Sequence, residues 1–164
     1  MRVLALALAP LISTPALADA LTLSARFGHW AVFIYEGTDG KVCYAATKPR
    51  TWGPAEAGER LSHLQVSSFL NHGLYNEVSV TLGAELDAAT PAEVRIAKES
   101  IPLAVVGAGL RPKDGKTEKR LLERMRKGRS LKVRARAASG TDLEYGFSLR
   151  GFDKALKQLK KVCQ

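Results

Sequence analysis

The 164-residue sequence predicts an all-β fold, an antiparallel sandwich or barrel that carries two short helices. Apolar residues recur with a period of two in eight short segments, and turn-forming residues separate these segments at nearly regular spacing. Only two segments have the 3.6-residue period of a helix. A parallel α/β sheet would need a helix after most strands, so the sequence excludes that class.

The first half of the chain contains four of the predicted strands. The segment 29–36 places tryptophan, valine and isoleucine on one face, and the pair Asp39-Gly40 that follows it is typical of a tight hairpin. The predicted return strand is 41–47. Two further segments, 61–69 and 76–83, alternate in the same way and extend the sheet.

The second half adds four strands and both helices. The strands are 92–99, 101–107, 130–137 and 143–150.

Each predicted helix has an apolar stripe and recognisable ends. In TEKRLLERMRKG (117–128) two leucines and a methionine share one face, with Thr117 as the expected N-cap and Gly128 as the terminator. In GFDKALKQLKKVC (151–163) four apolar residues recur at helical spacing, with Asp153 as the expected cap. The second helix must cover part of the sheet.

The chain begins with the pattern of a secretory signal peptide. Arg2 gives a cationic start, residues 3–12 are apolar, and residues 16–18 form the Ala-x-Ala pattern that a signal peptidase recognises. The apolar run is shorter than the roughly 20 residues of a membrane-spanning helix. We therefore expect 1–18 to be a signal peptide, 19–164 to form a single domain without a transmembrane segment, and the mature protein to be periplasmic, surface-exposed or secreted.

Two cysteines, Cys43 and Cys163, are the whole thiol content of the chain. In an oxidising compartment two cysteines most simply form one disulfide, which here would fasten the last helix to an early strand. The alternative is a reactive thiol, for which a Cys-x-x-Cys pair or a neighbouring base would be expected. Neither feature occurs around Cys43 or Cys163.

Charge is distributed unevenly along the chain. Residues 19–110 contain 7 basic and 10 acidic residues, whereas 111–161 contain 17 basic and 6 acidic residues. Within the basic part, the strand SLKVRARA alternates cations with apolar residues, so its cations share one face. Such a row suits phosphate or sulfate groups, although a merely solvated face is the alternative. The candidate anion-binding residues are Lys132, Arg134 and Arg136, extended by Arg124, Arg126, Lys127 and Arg129.

No catalytic or metal-binding motif is visible. The three histidines, at positions 29, 63 and 72, lack the spacing of zinc ligands. Ser67 and Ser68 lie outside any G-x-S-x-G elbow, and Gly107-x-Gly109 lacks the third glycine and the following helix of a dinucleotide site. We therefore expect no enzymatic activity and no cofactor.

Several segments resemble the invasion associated locus B family of exported proteobacterial proteins. They are WAV, KVCYAATKP, NEVSVTLG, RMRKGRSLKV and FSLRGFDKAL, followed by a terminal cysteine, and they extend from Trp30 to Cys163. The resemblance implies an immunoglobulin-like β-sandwich, a periplasmic or surface location and, in pathogens, a contribution to host-cell entry.

The sequence leaves two classes of function open. The first is a non-enzymatic envelope module that binds a protein or a polyanion, such as lipopolysaccharide or a sulfated glycan. Nucleic acid is a poorer partner, because export separates the protein from the genome and no aromatic residues interleave with the cations. The second class is a periplasmic enzyme or chaperone-like factor whose site is assembled from residues distant in sequence.

Overall fold

The structure is a computed structural model and describes residues 20–53, 62–107 and 109–164. The predicted signal peptide, residues 1–18, lies outside this part of the chain. The described part contains eleven strands, two α-helices and one short 3-10 helix, Leu70–His72; the strands and α-helices are numbered separately. In chain order they are β1 Ala20–Phe27, β2 Trp30–Gly37, β3 Gly40–Thr47, β4 Thr51–Gly53, β5 His63–Phe69, β6 Leu74–Thr81, β7 Ala92–Ile96, β8 Glu99–Val106, β9 Gly109–Pro112, α1 Gly115–Lys127, β10 Ser130–Arg136, β11 Asp142–Ser148 and α2 Phe152–Val162.

All eleven strands belong to one antiparallel sheet with the order β1-β2-β3-β5-β6-β9-β8-β7-β10-β11-β4. The sheet folds over on itself, because strands far apart in this order touch each other. The Trp30 indole on β2 donates a hydrogen bond to the Ser148 carbonyl at the end of β11, over 3.0 Å. The two halves therefore enclose a shared core, as in a sandwich.

The inward-facing positions of the sheet form this core. Val32, Leu64 and Val133, from three different strands, have no exposed surface. Both helices add apolar side chains to it: Met125 of α1 is fully buried, and Phe152 of α2 lies 4.7 Å from Trp30, ring centre to ring centre. These features confirm the predicted all-β, sandwich-like fold with two short helices, one of them C-terminal.

Both predicted helix starts are wrong by a few residues. Helix α1 is capped by Asp114, whose carboxylate accepts from the Thr117 amide at 2.7 Å, so Thr117 lies inside the first turn. Helix α2 begins after Gly151, which adopts a left-handed conformation, and Asp153 lies in its first turn. A side-chain cap therefore sets the start of α1, and a left-handed glycine precedes the start of α2.

The predicted disulfide between Cys43 and Cys163 is confirmed. It joins β3 to the residue directly after α2, with a Cα–Cα distance of 5.9 Å, and both cysteines are buried. The bond closes a loop of 120 residues, for which the chain-entropy model gives a ceiling of about 4.7 kcal/mol. It holds the last helix against the inner face of β1, β2 and β3.

Candidate anion-binding site

The predicted row of cations lies on β10, as the alternation indicated. Lys132, Arg134 and Arg136 are exposed, while the apolar residues between them are buried. The three side chains therefore share one face of the strand, but acidic side chains lie beside them.

Carboxylates from neighbouring strands pair with each cation of the row. Glu144 of β11 accepts from Lys132 at 2.6 Å and from Arg134 at 2.8 Å. These hydrogen bonds hold the pKa of Glu144 below its ordinary value. Glu93 of β7 lies 3.9 Å from Arg134, and Asp142 lies 3.7 Å from Arg136. An incoming anion would have to compete with these acidic partners.

The helical part of the predicted set is also largely paired. Arg124 contacts Glu99 at 2.5 Å and Arg126 contacts Asp153 at 2.8 Å. Lys127 and Arg129 are exposed, and neither is among the ion pairs of the described residues. Five of the seven predicted residues thus already have carboxylate partners.

A second group of cations surrounds a depression that is lined by residues between Arg26 and His63, in the part of the chain where acidic residues outnumber basic ones. We call this depression the turn pocket. It lies where β1 and β3 end and β2 and β5 begin, and its volume is about 540 Å³. None of the described residues that line it is acidic. Its basic side chains are Arg26, His29, Lys48, Arg50 and His63.

The floor of the turn pocket is made of small residues. Ala31 of β2 and Ala46 of β3 are register partners, and Arg26 of β1 pairs with Ala31 on its other side. Register partners in an antiparallel sheet point to the same face. Two methyl groups therefore leave a depression, with the Arg26 side chain at its rim and the Phe33 ring also among its lining.

Hydrogen bonds hold the rim of the pocket in place. The buried Thr47 hydroxyl at the end of β3 donates to the His29 carbonyl in the β1–β2 turn, over 2.8 Å. The His29 amide donates to the Arg150 carbonyl at 3.1 Å, and the Arg50 amide donates to the Gly146 carbonyl at 2.7 Å. The turn and the segment after β3 are thus fixed to β11 and the residues that follow it.

Two glycines allow the turn to approach this closely. Gly28 and Gly151 both have positive φ angles, of 58° and 96°. A methyl group on Gly151 would collide with the Phe27 carbonyl oxygen, and one on Gly28 would collide with the Arg150 carbonyl oxygen. Only glycine satisfies both the conformation and the spacing at these positions.

The side chains that line the turn pocket are of the kind that bind anions. Guanidinium and ammonium groups donate strong, charge-assisted hydrogen bonds to phosphate, sulfate and carboxylate groups. By contrast, the depression of about 610 Å³ beside the β10 row is lined by three carboxylates, those of Glu93, Asp142 and Glu144, against the guanidinium groups of Arg134 and Arg136. The turn pocket is therefore the more favourable place for an anion.

Sequence reasoning missed this pocket because no motif encodes it. Its cations are single residues in separate turns and strand ends, and they come from the half of the chain in which acidic residues outnumber basic ones. His29 and His63 lack the spacing of zinc ligands, so the sequence gives no sign that they belong to a site. Only the antiparallel pairing of β1, β2, β3 and β5 brings these residues to one end of the sheet.

The remaining sequence candidates do not assemble into a site. Ser67 and Ser68 are buried in β5, where the Ser68 hydroxyl accepts from the Asn76 amide at 3.3 Å. Gly107 and Gly109 flank the β8–β9 connection. Over the described ranges, no group of three His, Cys, Asp or Glu side chains is arranged to hold a metal ion, and no helix is long and apolar enough to span a membrane.

No protein-family model matches the chain, and no match was found among curated proteins. Among solved structures, the chain is similar to invasion associated protein B from Bartonella henselae, with a TM-score of 0.59 and 19% sequence identity. The similarity covers 86% of this chain and 98% of that protein. At this identity the comparison shows the fold, and it is the fold of the family that the sequence segments resemble.

Proposed function

We propose that this chain is an exported, non-enzymatic protein of the invasion associated locus B type, which binds an anionic partner through the turn pocket. Export is supported by the signal-peptide pattern of residues 1–18 and by the buried disulfide, since such bonds persist in oxidising compartments. The type is supported by the sequence resemblance and by the shared fold. A contribution to host-cell entry is the corresponding role in a pathogen.

The observation that carries the proposal is the absence of acidic residues from the described lining of the turn pocket. Arg26, Lys48 and Arg50 converge on this depression, and none of them has a carboxylate partner among the described residues. Their charge is available to a ligand, whereas the charge of the β10 row is largely compensated within the protein.

Two matched triple variants test the proposal. The pocket variant is Arg26→Gln/Lys48→Gln/Arg50→Gln and the row variant is Lys132→Gln/Arg134→Gln/Arg136→Gln, so both lose three positive charges. Binding to heparin is measured by calorimetry over a series of salt concentrations. The pocket variant should bind at least tenfold more weakly than the unmodified protein, because one charge-assisted hydrogen bond contributes about 1.5–3 kcal/mol.

The row variant should keep an affinity within about threefold of the unmodified protein, and the salt dependence of its binding should stay steep. Urea unfolding of both variants checks that they remain folded. If the row variant loses binding and the pocket variant does not, the β10 row predicted from the sequence is the anion site and the turn pocket is not.

A further inference from the structure

The turn pocket opens onto a sheet face that carries several exposed apolar side chains. In β2, Trp30 and Val32 point into the core and are buried. Alternation along the strand therefore directs Ala31, Phe33 and Tyr35 to the opposite, outer face. Helix α2 lies on the inner side, where its Phe152 contacts Trp30, so it does not cover this outer face.

A continuous apolar row crosses five strands of this outer face. Register pairs link Leu21 of β1 to Tyr35, Tyr35 to Val42, Val42 to Phe69, and Phe69 to Leu74 of β6. At the two ends of this row, Leu21 and Leu74 expose 59% and 48% of their surface. Large apolar side chains exposed in one contiguous group indicate a contact surface.

A second row joins the apolar row to the turn pocket. Leu23 pairs with Phe33, and Phe33 pairs with Tyr44. The Phe33 and Tyr44 rings stack with their centres 5.2 Å apart, and Leu23 is 45% exposed. Phe33 also lines the turn pocket. The aromatic surface and the cationic pocket are therefore parts of one face.

The face is amphipathic along the direction of the strands. Residues two apart on an antiparallel strand are about 6.8 Å apart, so about 14 Å separate the level of Arg26 and Ala31 from the level of Leu21 and Tyr35. Over this distance the surface changes from cations, with no carboxylate among the described lining residues, to leucine, phenylalanine and tyrosine. Tyrosine, with an apolar ring and a polar tip, suits the boundary between water and lipid.

We propose that the partner of this face is an anionic lipid, whose phosphate-bearing headgroup binds in the turn pocket while its apolar part lies against the apolar row. The inference rests on the anion-binding function proposed above and adds the class of ligand. Charge complementarity selects the headgroup, because the described lining of the pocket offers donors and no carboxylates. The adjoining leucines and aromatic rings select an amphiphile over a fully hydrated polyanion.

Vesicle binding tests the inference. The probes are phosphatidylcholine vesicles, vesicles that also contain about 30% phosphatidylglycerol, and soluble heparin. The phosphatidylglycerol gives the second kind of vesicle a strongly anionic surface. The variants are the pocket variant, Leu21→Ser/Leu23→Ser on β1, and Leu74→Ser at the opposite end of the row. Val106→Ser on β8 is the matched control, since Val106 is also exposed, at 52%, but belongs to neither row.

The expected result is binding to the anionic vesicles that weakens at least tenfold in the pocket variant and at least fivefold in both leucine variants, but not in Val106→Ser. If circular dichroism shows that Leu21→Ser/Leu23→Ser disturbs the edge strand, the vesicle binding of Leu74→Ser tests the inference instead. Heparin binding should be unchanged in all the leucine variants.

Three other results overturn the inference. If heparin binds and the leucine variants bind anionic vesicles as well as the unmodified protein does, the pocket takes water-soluble anions and the lipid proposal fails alone. If neither heparin nor anionic vesicles bind, the anion-binding function fails as well. Equal binding to vesicles with and without phosphatidylglycerol would show a contact that needs no anion, which also contradicts the inference.

Discussion

At the scale of single residues, Gly151 allows the β1–β2 turn beside the turn pocket to approach closely, and Gly140 in the β10–β11 turn offers a comparison. Gly151 has a φ angle of 96° and lies against the Phe27 carbonyl, whereas Gly140 has a φ angle of 88° with open space around it. The comparison separates the two reasons for using glycine. Gly140 satisfies a backbone conformation, and Gly151 satisfies a conformation and a close contact.

Gly151→Ala should therefore destabilise the protein more than Gly140→Ala does. The strained backbone alone costs about 1 kcal/mol, and crowding adds about 1–3 kcal/mol. Urea unfolding of the two variants measures the difference in the free energy of unfolding. Equal losses in both variants would show that the approach of the β1–β2 turn to residue 151 is not tight.

At the scale of elements, two glutamates connect neighbouring secondary structures, and their pKa values are shifted in opposite directions. Glu118 of α1 is half-buried and accepts from the Val78 amide of β6 at 2.7 Å, and burial raises the pKa of its carboxyl group. Glu144 joins β11 to β10, and its hydrogen bonds to Lys132 and Arg134 lower its pKa. The two groups should therefore affect stability with opposite dependence on pH.

The difference in unfolding free energy between the unmodified protein and a glutamine variant measures the contribution of that glutamate to stability. For Glu144→Gln, the advantage of the unmodified protein is present above the ordinary pKa of 4.5 and is lost as the pH falls through the lowered value. For Glu118→Gln, the advantage is largest below 4.5 and decreases as the pH rises through the raised value. Unfolding in urea between pH 3 and about pH 7 measures both slopes, and slopes of the same sign would contradict this assignment.

Periodicity predicts the eight strands whose apolar residues face the core, and it misses three. In β1, Leu21 and Leu23 face outward, so the alternation is present but its large apolar residues mark the outer face and not the core. Strand β4 has three residues and β9 has four, which is too short for a period to be recognised. The missing β1 matters most, because it supplies Arg26 to the pocket and two of the three exposed leucines of the outer face.

At the scale of the whole molecule, the distribution of charge along the sequence is a poor guide to which cations lack a carboxylate partner among the described residues. The basic half of the chain contains the β10 row and α1, whose arginines are mostly paired with carboxylates. The acidic half supplies the turn pocket, because its few cations meet where four strands begin or end. Composition predicts the sign of the net charge, and topology decides which charges lie beside carboxylates.

Export and disulfide formation are tested together on the intact molecule. Protein recovered from a periplasmic extract should begin at Asp19 and have the mass of residues 19–164 less two hydrogen atoms, since a disulfide forms readily in that compartment. Mass spectrometry without reduction measures this directly. Recovery of the full 164-residue chain with two free thiols in the cytoplasm would contradict the proposed location.

The central claim, that the turn pocket and not the β10 row receives anions, is tested most directly by nuclear magnetic resonance. Isotope-labelled protein is titrated with a heparin tetrasaccharide, and the shifts of the backbone amide signals are mapped. The largest shifts should occur at Gly28, His29, Lys48 and Arg50, because these amides surround the pocket. Shifts concentrated at residues 130–136, or no saturable shifts at all, would contradict the claim.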